Sequence, residues 1–215
     1  MTARTAACPN CGATIEFRWS SAVQTVCPYC KAVLVRRDGD LEKVGVVSDL
    51  PPTSSPIQLG TEGRWQDDGF VVVGRIVYRY DRGGWNEWYL RTMRGGDAWL
   101  SDAQGDLAIS SPAKQPGLLP AATHLRVGQW YVIDDTRFRV ASLTRARYAG
   151  VEGELPFTTW DRDESLFADL DTEGSGDALR FATIDYADDT PVAYVGEYVE
   201  LEQLAARNLR RIEGW

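Results

Sequence analysis

The sequence predicts a mainly β protein in two parts, a small cysteine-bearing N-terminal module and a larger antiparallel body. Three observations point that way. Two Cys-Pro-x-Cys pairs, "CPNC" at 8–11 and "CPYC" at 27–30, each lead into a short apolar run. A stretch rich in proline, serine and threonine, "SDLPPTSSPIQLG", separates them from the rest of the chain. Beyond it, apolar and polar residues alternate in runs that end at glycine or aspartate, the period-two pattern of strands joined by tight turns. A chain of 215 residues is long enough to bury a real core, either as one large all-β domain or as a medium domain with a small module attached.

The N-terminal module spans 1–47 and reads as a zinc ribbon. Cys8 and Cys11 form one knuckle, Cys27 and Cys30 the other, and the 15 residues between Cys11 and Cys27 are enough for a hairpin that returns to the metal. Four thiolates at this spacing suit a tetrahedral structural Zn²⁺; iron, an iron-sulfur cluster and paired disulfides are the alternatives. With every ligand position filled by cysteine, no open site remains for hydrolysis. Gly12 can take the positive φ that a knuckle turn often needs, whereas Lys31 stands at the matching place in the second knuckle. A module this short depends on its metal to fold.

A linker is expected over 48–58, and a β body over 59–215. In "GFVVVGRIVYRYD", Phe70, Val72, Ile76, Tyr78 and Tyr80 alternate onto one side, with Arg75 and Arg79 on the other. Gly83-Gly84 is the expected turn into "WNEWYLRTM", Gly95-Gly96 the turn into "DAWLS", and "GDLAIS" gives a fourth strand. Gly60, Asp67, Phe70 and Val72 are echoed 68 residues later by Gly128, Asp135, Phe138 and Val140, which raises an internal duplication with units at 59–123 and 124–199. Further strands are expected near 166–170, 178–186 and 192–199. The strands could close as a β-barrel or stack as a β-sandwich, and the pattern leaves both open. Over 200–212, Leu201, Leu204, Ala205, Leu209 and Ile212 form an apolar stripe with Arg207, Arg210 and Arg211 near its end, which predicts a C-terminal helix covering a sheet edge or barrel end.

Charge and length exclude some functions. The 23 Lys and Arg against 31 Asp and Glu leave −8, adverse to a duplex-binding surface, so nucleic acid is not an expected partner. Most of the acidic excess falls in 151–215, with 5 basic against 16 acidic residues. Apolar runs such as "FVVVG" are too short to cross a bilayer and the N-terminus lacks the apolar stretch of a secretory signal, so the expected address is cytoplasmic, where paired cysteines stay reduced.

"RIVYRYDRGGWNEWYL", "DAWLSDAQG", "EGELPF", "FATIDYADD" and "YVGEYVELEQL", in this order over about 57–205, resemble the bacterial DUF4178 family, a domain of unknown function that often sits behind a ribbon of this kind. The resemblance carries no catalytic residues. It implies a soluble β-rich protein, and through family members encoded beside membrane-associated stress proteins and polyamine-synthase-like enzymes, a component of an envelope-associated system, cytoplasmic or peripheral to the inner face of the membrane.

Several groups of residues are candidates for a site. On a strand, Trp85, Glu87, Tyr89 and Arg91 share one face, with Glu87 and Arg91 able to pair, while Trp88 and Leu90 share the other and read as core. Trp85, Tyr89 and Trp99 could bound a ligand groove with Glu87 at its side. Glu152 and Glu154 lie two apart, so both could point the same way, and are weak acid-base candidates. Arg75, Arg79 and Arg91, continued by Arg137, Arg139, Arg145 and Arg147, could form a stripe for anionic polymers or lipid headgroups. His124, the only histidine, stands in no catalytic motif. "DLDTEGSGD" opens like a calcium loop at Asp169, Asp171, Glu173, Gly174 and Asp177, but Arg180 occupies the position that needs a bidentate Glu, so an EF-hand is excluded. The expected role is therefore a non-enzymatic protein-interaction or adaptor module with a protein partner. The alternatives are a small-ligand-binding protein or enzyme using the aromatic and carboxylate residues, or a receptor for polyanions.

Overall fold

The computed structural model describes residues 4–37, 40–46, 55–158, 164–173, 179–188 and 190–211. Strands β1 (Arg4–Ala7) and β2 (Thr14–Phe17) form a hairpin, and β3 (Gln24–Val26), β4 (Ala32–Arg37) and β5 (Asp40–Val46) a small antiparallel sheet. The body contributes β6 (Glu62–Trp65), β7 (Asp68–Tyr80), β8 (Gly83–Thr92), β9 (Asp97–Ala103) and β10 (Asp106–Pro112), then β11 (Trp130–Ile133), β12 (Thr136–Leu155), β13 (Ser165–Asp171), β14 (Arg180–Asp185) and β15 (Val192–Val199).

Two antiparallel meanders, β7 to β10 and β12 to β15, join at both margins. β10 pairs β15, and β7 pairs β12 from Arg79↔Arg147 to Gly74↔Gly153. The result is a closed eight-stranded barrel with extra strands, which decides between the two arrangements left open by the pattern. Closure satisfies the edge N–H and C=O groups that an open sheet would leave bare. β12 makes this geometry work, because its 20 residues pair in turn with β11, β13, β7 and β3.

Each meander opens with the same device, 68 residues apart. Gly60 N–H donates to the Val72 carbonyl and Gly128 N–H to the Val140 carbonyl, both at 2.8 Å. Both glycines hold positive φ, 81° and 89°, where a side chain would be strained. Gln66-Asp67 and Asp134-Asp135 all lie in the left-handed region and turn β6 into β7 and β11 into β12, as two-residue hairpins require. One residue then bulges from each long strand, between Val72 and Gly74 and between Val140 and Ser142.

The bulge corrects the expected single alternation along β7. A one-residue insertion flips the faces. Phe70 and Val72 therefore point outward and pack with Trp88, Leu90 and Leu100, whereas Ile76 and Tyr78 point inward and pack with Tyr89, Trp99 and Phe167. The inner face is identified by a cavity bordered by residues of β7, β8, β9, β10, β13, β14 and β15. The outside is also apolar, and straps cover it. Ile57 and Leu204 lie over the first outer cluster; Leu125 and Ile133 lie over the second, on Phe138, Val140, Leu170 and Ile184.

Two further expectations change. The predicted C-terminal helix over 200–212 is absent: among the described residues no helix reaches seven residues, and Ile212 lies outside them. Leu201 and Leu204 instead reach the outer cluster through consecutive turns, and Ala205 and Asn208 adopt positive φ. The tail's backbone bonds to β6, with Arg207 N–H donating to the Glu62 carbonyl and Arg64 N–H to the Leu204 carbonyl. A strand edge offering partners outcompetes an amphipathic stripe. The turn expected at Gly83-Gly84 falls on Asp81-Arg82, and both glycines start β8. Of the linker expected over 48–58, residues 48–54 lie outside the described residues, while Ile57 is fully buried in the first outer cluster.

The N-terminal module docks where β12 leaves the barrel. Thr25 and Gln24 of β3 pair Glu154 and Leu155, and Val33 of β4 joins the cluster that holds Tyr89 and Trp99.

Candidate functional site

The cysteine cluster is built from two nearly identical turns. Gly12 N–H donates to the Cys8 carbonyl at 2.8 Å and Lys31 N–H to the Cys27 carbonyl at 3.0 Å. The residue closing each turn is left-handed, Gly12 at φ 76° and Lys31 at 59°, so a lysine adopts what glycine does more readily. The four Sγ atoms lie within 4.8 Å of one another, with Cys8–Cys30 at 3.7 Å and Cys11–Cys27 at 3.8 Å, and none is in a disulfide. Metal–sulfur bonds of about 2.3 Å in a tetrahedron give sulfur separations of roughly 3.8 Å, so this donor set could hold one metal ion. The sulfurs compete for negative charge. Asn10, whose side-chain oxygen accepts from Lys43 at 2.7 Å, and the Ala32 amide draw the Cys30 thiol down to about 6. The Ala13 amide also favours a Cys11 thiolate, but desolvation and the other three sulfurs outweigh it and push that thiol up to about 12. A bound cation would relieve the competition.

The second candidate is the barrel lumen. β8 points Trp85, Glu87 and Tyr89 inward in succession. Trp85 stacks on Tyr78 with centroids 5.0 Å apart and meets Phe167 edge-on at 5.4 Å; Tyr89 lies against Trp99 at 5.0 Å, and Trp99 against Phe157 at 5.7 Å. Between these two groups of rings, the Glu87 carboxylate accepts from the Trp85 indole N–H at 2.8 Å and from the Ser101 hydroxyl at 2.9 Å. It borders a cavity of about 40 Å³ that Ser110, Thr183, Asp185 and Tyr194 also line.

Glu87 and Arg91 do not pair. Arg91 bonds Asp97, which also accepts from the Tyr89 hydroxyl at 2.6 Å; desolvation, and then Asp97, push that phenol up to about 12. Among the described residues no ion pair reaches Glu87. Desolvation pushes its carboxyl up to about 8; the Ser101 and Trp85 hydrogen bonds oppose this and the charges of Asp169 and Asp185 add to it. Desolvation likewise raises Asp169, against hydrogen bonds from Ser142 and Thr183.

The other sequence candidates scatter. Glu154 is buried, and accepts from the backbone N–H groups of Arg18 at 3.0 Å and Trp19 at 3.1 Å, tying the N-terminal module to β12. Desolvation raises its carboxyl against those two bonds. Glu152 pairs Arg75 at 3.1 Å on the outer face, where Arg75 is 3% exposed, bonds Asn86 and stacks over Trp88. Arg79 is exposed outside, whereas Arg91 is inside. Arg137 and Arg139 lie over Trp130, and Arg145 and Arg147 face Glu164 at 3.6 and 3.8 Å. His124 is exposed on a short 3-10 turn. Asp169 and Asp171 belong to β13, while Gly174 and Asp177 fall outside the described residues.

Ser101, Ser110, Thr183 and Asp185 escaped the sequence reading because polar residues alternating with apolar ones look solvent-facing. In a barrel whose outside is covered, the same alternation points them into the lumen. Among the described residues, no helix is long and apolar enough to cross a membrane.

No curated protein and no solved structure matches the chain. The family model described as a domain of unknown function, DUF4178, matches residues 58–201, from the strap before β6 to the end of β15 and the turn beyond it. All eight barrel strands and the lumen fall within that span, and the chain belongs to the DUF4178 family.

Proposed function

We propose that this protein binds a small molecule in the barrel lumen, and that a structural Zn²⁺ holds the N-terminal module packed beside it. One observation carries the reading: a cavity of about 40 Å³ that sets the Glu87 carboxyl and the hydroxyls of Ser101, Ser110 and Thr183 against aromatic walls. Few polar groups converging in a mostly apolar hollow is the usual composition of a small-molecule site. Eight strands is also the barrel size that either fills with side chains or holds one small ligand. The indole N–H signals of Trp85 and Trp99 report on it, with Trp88 on the outer face as the control. In ¹H–¹⁵N spectra, small cationic, neutral and anionic probes are expected to include a class that moves the lumen pair and spares Trp88. Silence at Trp85 and Trp99 for every class contradicts the reading.

Zinc is favoured for the cysteine cluster because four thiolates at tetrahedral separation suit it, and because the filled coordination gives it a structural part. One equivalent of zinc per chain is expected, lost in Cys27→Ser together with the dispersed signals of β1 to β5. Retention of the metal in that variant contradicts the assignment.

A protein-docking role keeps one observation in its favour. A cleft of about 900 Å³ between module and barrel presents Trp19, Lys31, Leu59 and Tyr29, the last 74% exposed. An adaptor in an envelope-associated system, at the cytoplasmic face of the membrane, would use this cleft.

A further inference from the structure

We infer that the lumen cavity takes a small alkylammonium ion, its charge facing Glu87 and its carbon against the surrounding rings. This rests on the lumen as the binding site, and goes on to assign the chemistry of the occupant.

The walls choose the charge. Glu87 faces Tyr78 from β7, Ser101 from β9, Ser110 from β10, Tyr194 from β15, Thr183 and Asp185 from β14, and Phe167 and Asp169 from β13. Carboxyls, hydroxyls and ring faces accept hydrogen bonds or positive charge, and among the described residues this wall offers an anion no cationic partner. Aromatic faces attract a desolvated cation through their quadrupoles, and Trp99, Tyr78 and Phe167 border the same space. An ammonium group brings three donors, which matches a wall rich in oxygen acceptors.

The spacing of the carboxylates does not suit a bare metal ion. Among the described residues, the four cysteines form the one cluster of three or more metal-ligating side chains close enough to share an ion, and the carboxylates of Glu87, Asp169 and Asp185 form none. A cation that fills the gap with its own hydrogen-bonding arms fits better than one that needs its ligands drawn tightly in. The volume then sets the size. About 40 Å³ accommodates on the order of three water molecules, enough for an ammonium with a carbon or two and too little for a planar guanidinium on a side chain.

Protons compete with the ligand. The carboxyl of Glu87, held up at about 8 by desolvation and by Asp169 and Asp185, keeps its proton at neutral pH and must release it to meet a cation. Affinity therefore rises with pH through about 8, over a range in which an alkylamine stays protonated.

Methylammonium, methanol and acetate, titrated separately into the full zinc-loaded chain, test this through the Trp85 and Trp99 indole signals. Methylammonium is expected to shift both, more tightly at pH 9 than at pH 6.5, while methanol and acetate leave them in place. Glu87→Gln keeps acceptors for Trp85 and Ser101 but removes the charge, and is expected to weaken methylammonium binding by about tenfold or more; near-UV circular dichroism checks that this variant is folded. A Glu87→Gln chain that is folded and binds methylammonium as tightly as the parent overturns the inference. Methanol binding as well as methylammonium also overturns it, yet leaves the lumen as a binding site. Silence from all three probes overturns the inference, and a wider panel that is also silent takes the lumen reading with it.

Discussion

The two halves of the barrel share a frame and differ in what it carries. Ile57 and Leu125 are the same kind of buried anchor 68 residues apart; Phe70 and Phe138, then Val72 and Val140, come after them on the outer face, and a bulge is next in both. The inner faces are unlike. The first half sends Trp85, Glu87 and Tyr89 inward, and the second sends Phe167, Asp169, Thr183 and Asp185. The long strands differ too, since β7 ends after 13 residues whereas β12 runs for 20 and reaches the N-terminal module. Packing against a strap is one problem, solved twice in the same way. The lumen has no such single requirement, so the halves bring different groups to one small space, and that is where a function can reside.

The largest effects test the shared frame. Phe70→Ala and Phe138→Ala each empty a site at the core of an outer cluster and are expected to cost about 3–5 kcal/mol, read by urea denaturation. A large loss in one and almost none in the other would show that the equivalence is of backbone shape alone. A smaller effect tests the asymmetry. Glu154→Ala strands the Arg18 and Trp19 amides and is expected to cost about 1–3 kcal/mol, with hydrogen exchange at those amides accelerating while the barrel strands keep their protection. Unchanged exchange there would mean that the extension of β12 does not hold the module.

What could be read from the sequence was mostly local. The cysteine pairs could be recognised because each knuckle closes within a few residues, and the positions of β8, β9, β10, β13, β14 and β15 because glycine and aspartate turns punctuate short alternating runs. The echoed glycines and left-handed aspartates are local signals as well. The face of each residue was lost at Val73, where one inserted residue exchanges inside for outside without leaving any mark in composition. Barrel closure rests on β7 meeting β12 and β10 meeting β15, pairings that no neighbouring residue announces. The tail showed a helical stripe, but its donors found β6. Glu154 looked like half of an acid pair because its partners lie 136 and 135 residues away along the chain. Glu87 stood in plain view between two aromatic residues on its face, and only the closed lumen reveals that, among the described residues, no basic side chain pairs with it.

Among the described residues, no cation accompanies the Glu87 carboxyl. Folded, its affinity for a proton lies above the ordinary value of 4.5, at about 8. The stability this group contributes is therefore full below about 4.5 and is lost as pH rises through about 8, a loss on the order of a few kcal/mol that Glu87→Gln should not show. The most direct measurement is a ¹³C titration of the Glu87 side-chain carboxyl in the ligand-free chain, assigned by comparison with Glu87→Gln. A midpoint near 8 that falls when methylammonium is added is the predicted result. A midpoint near 4.5, unmoved by methylammonium, would show that the carboxyl is already compensated and would contradict the account.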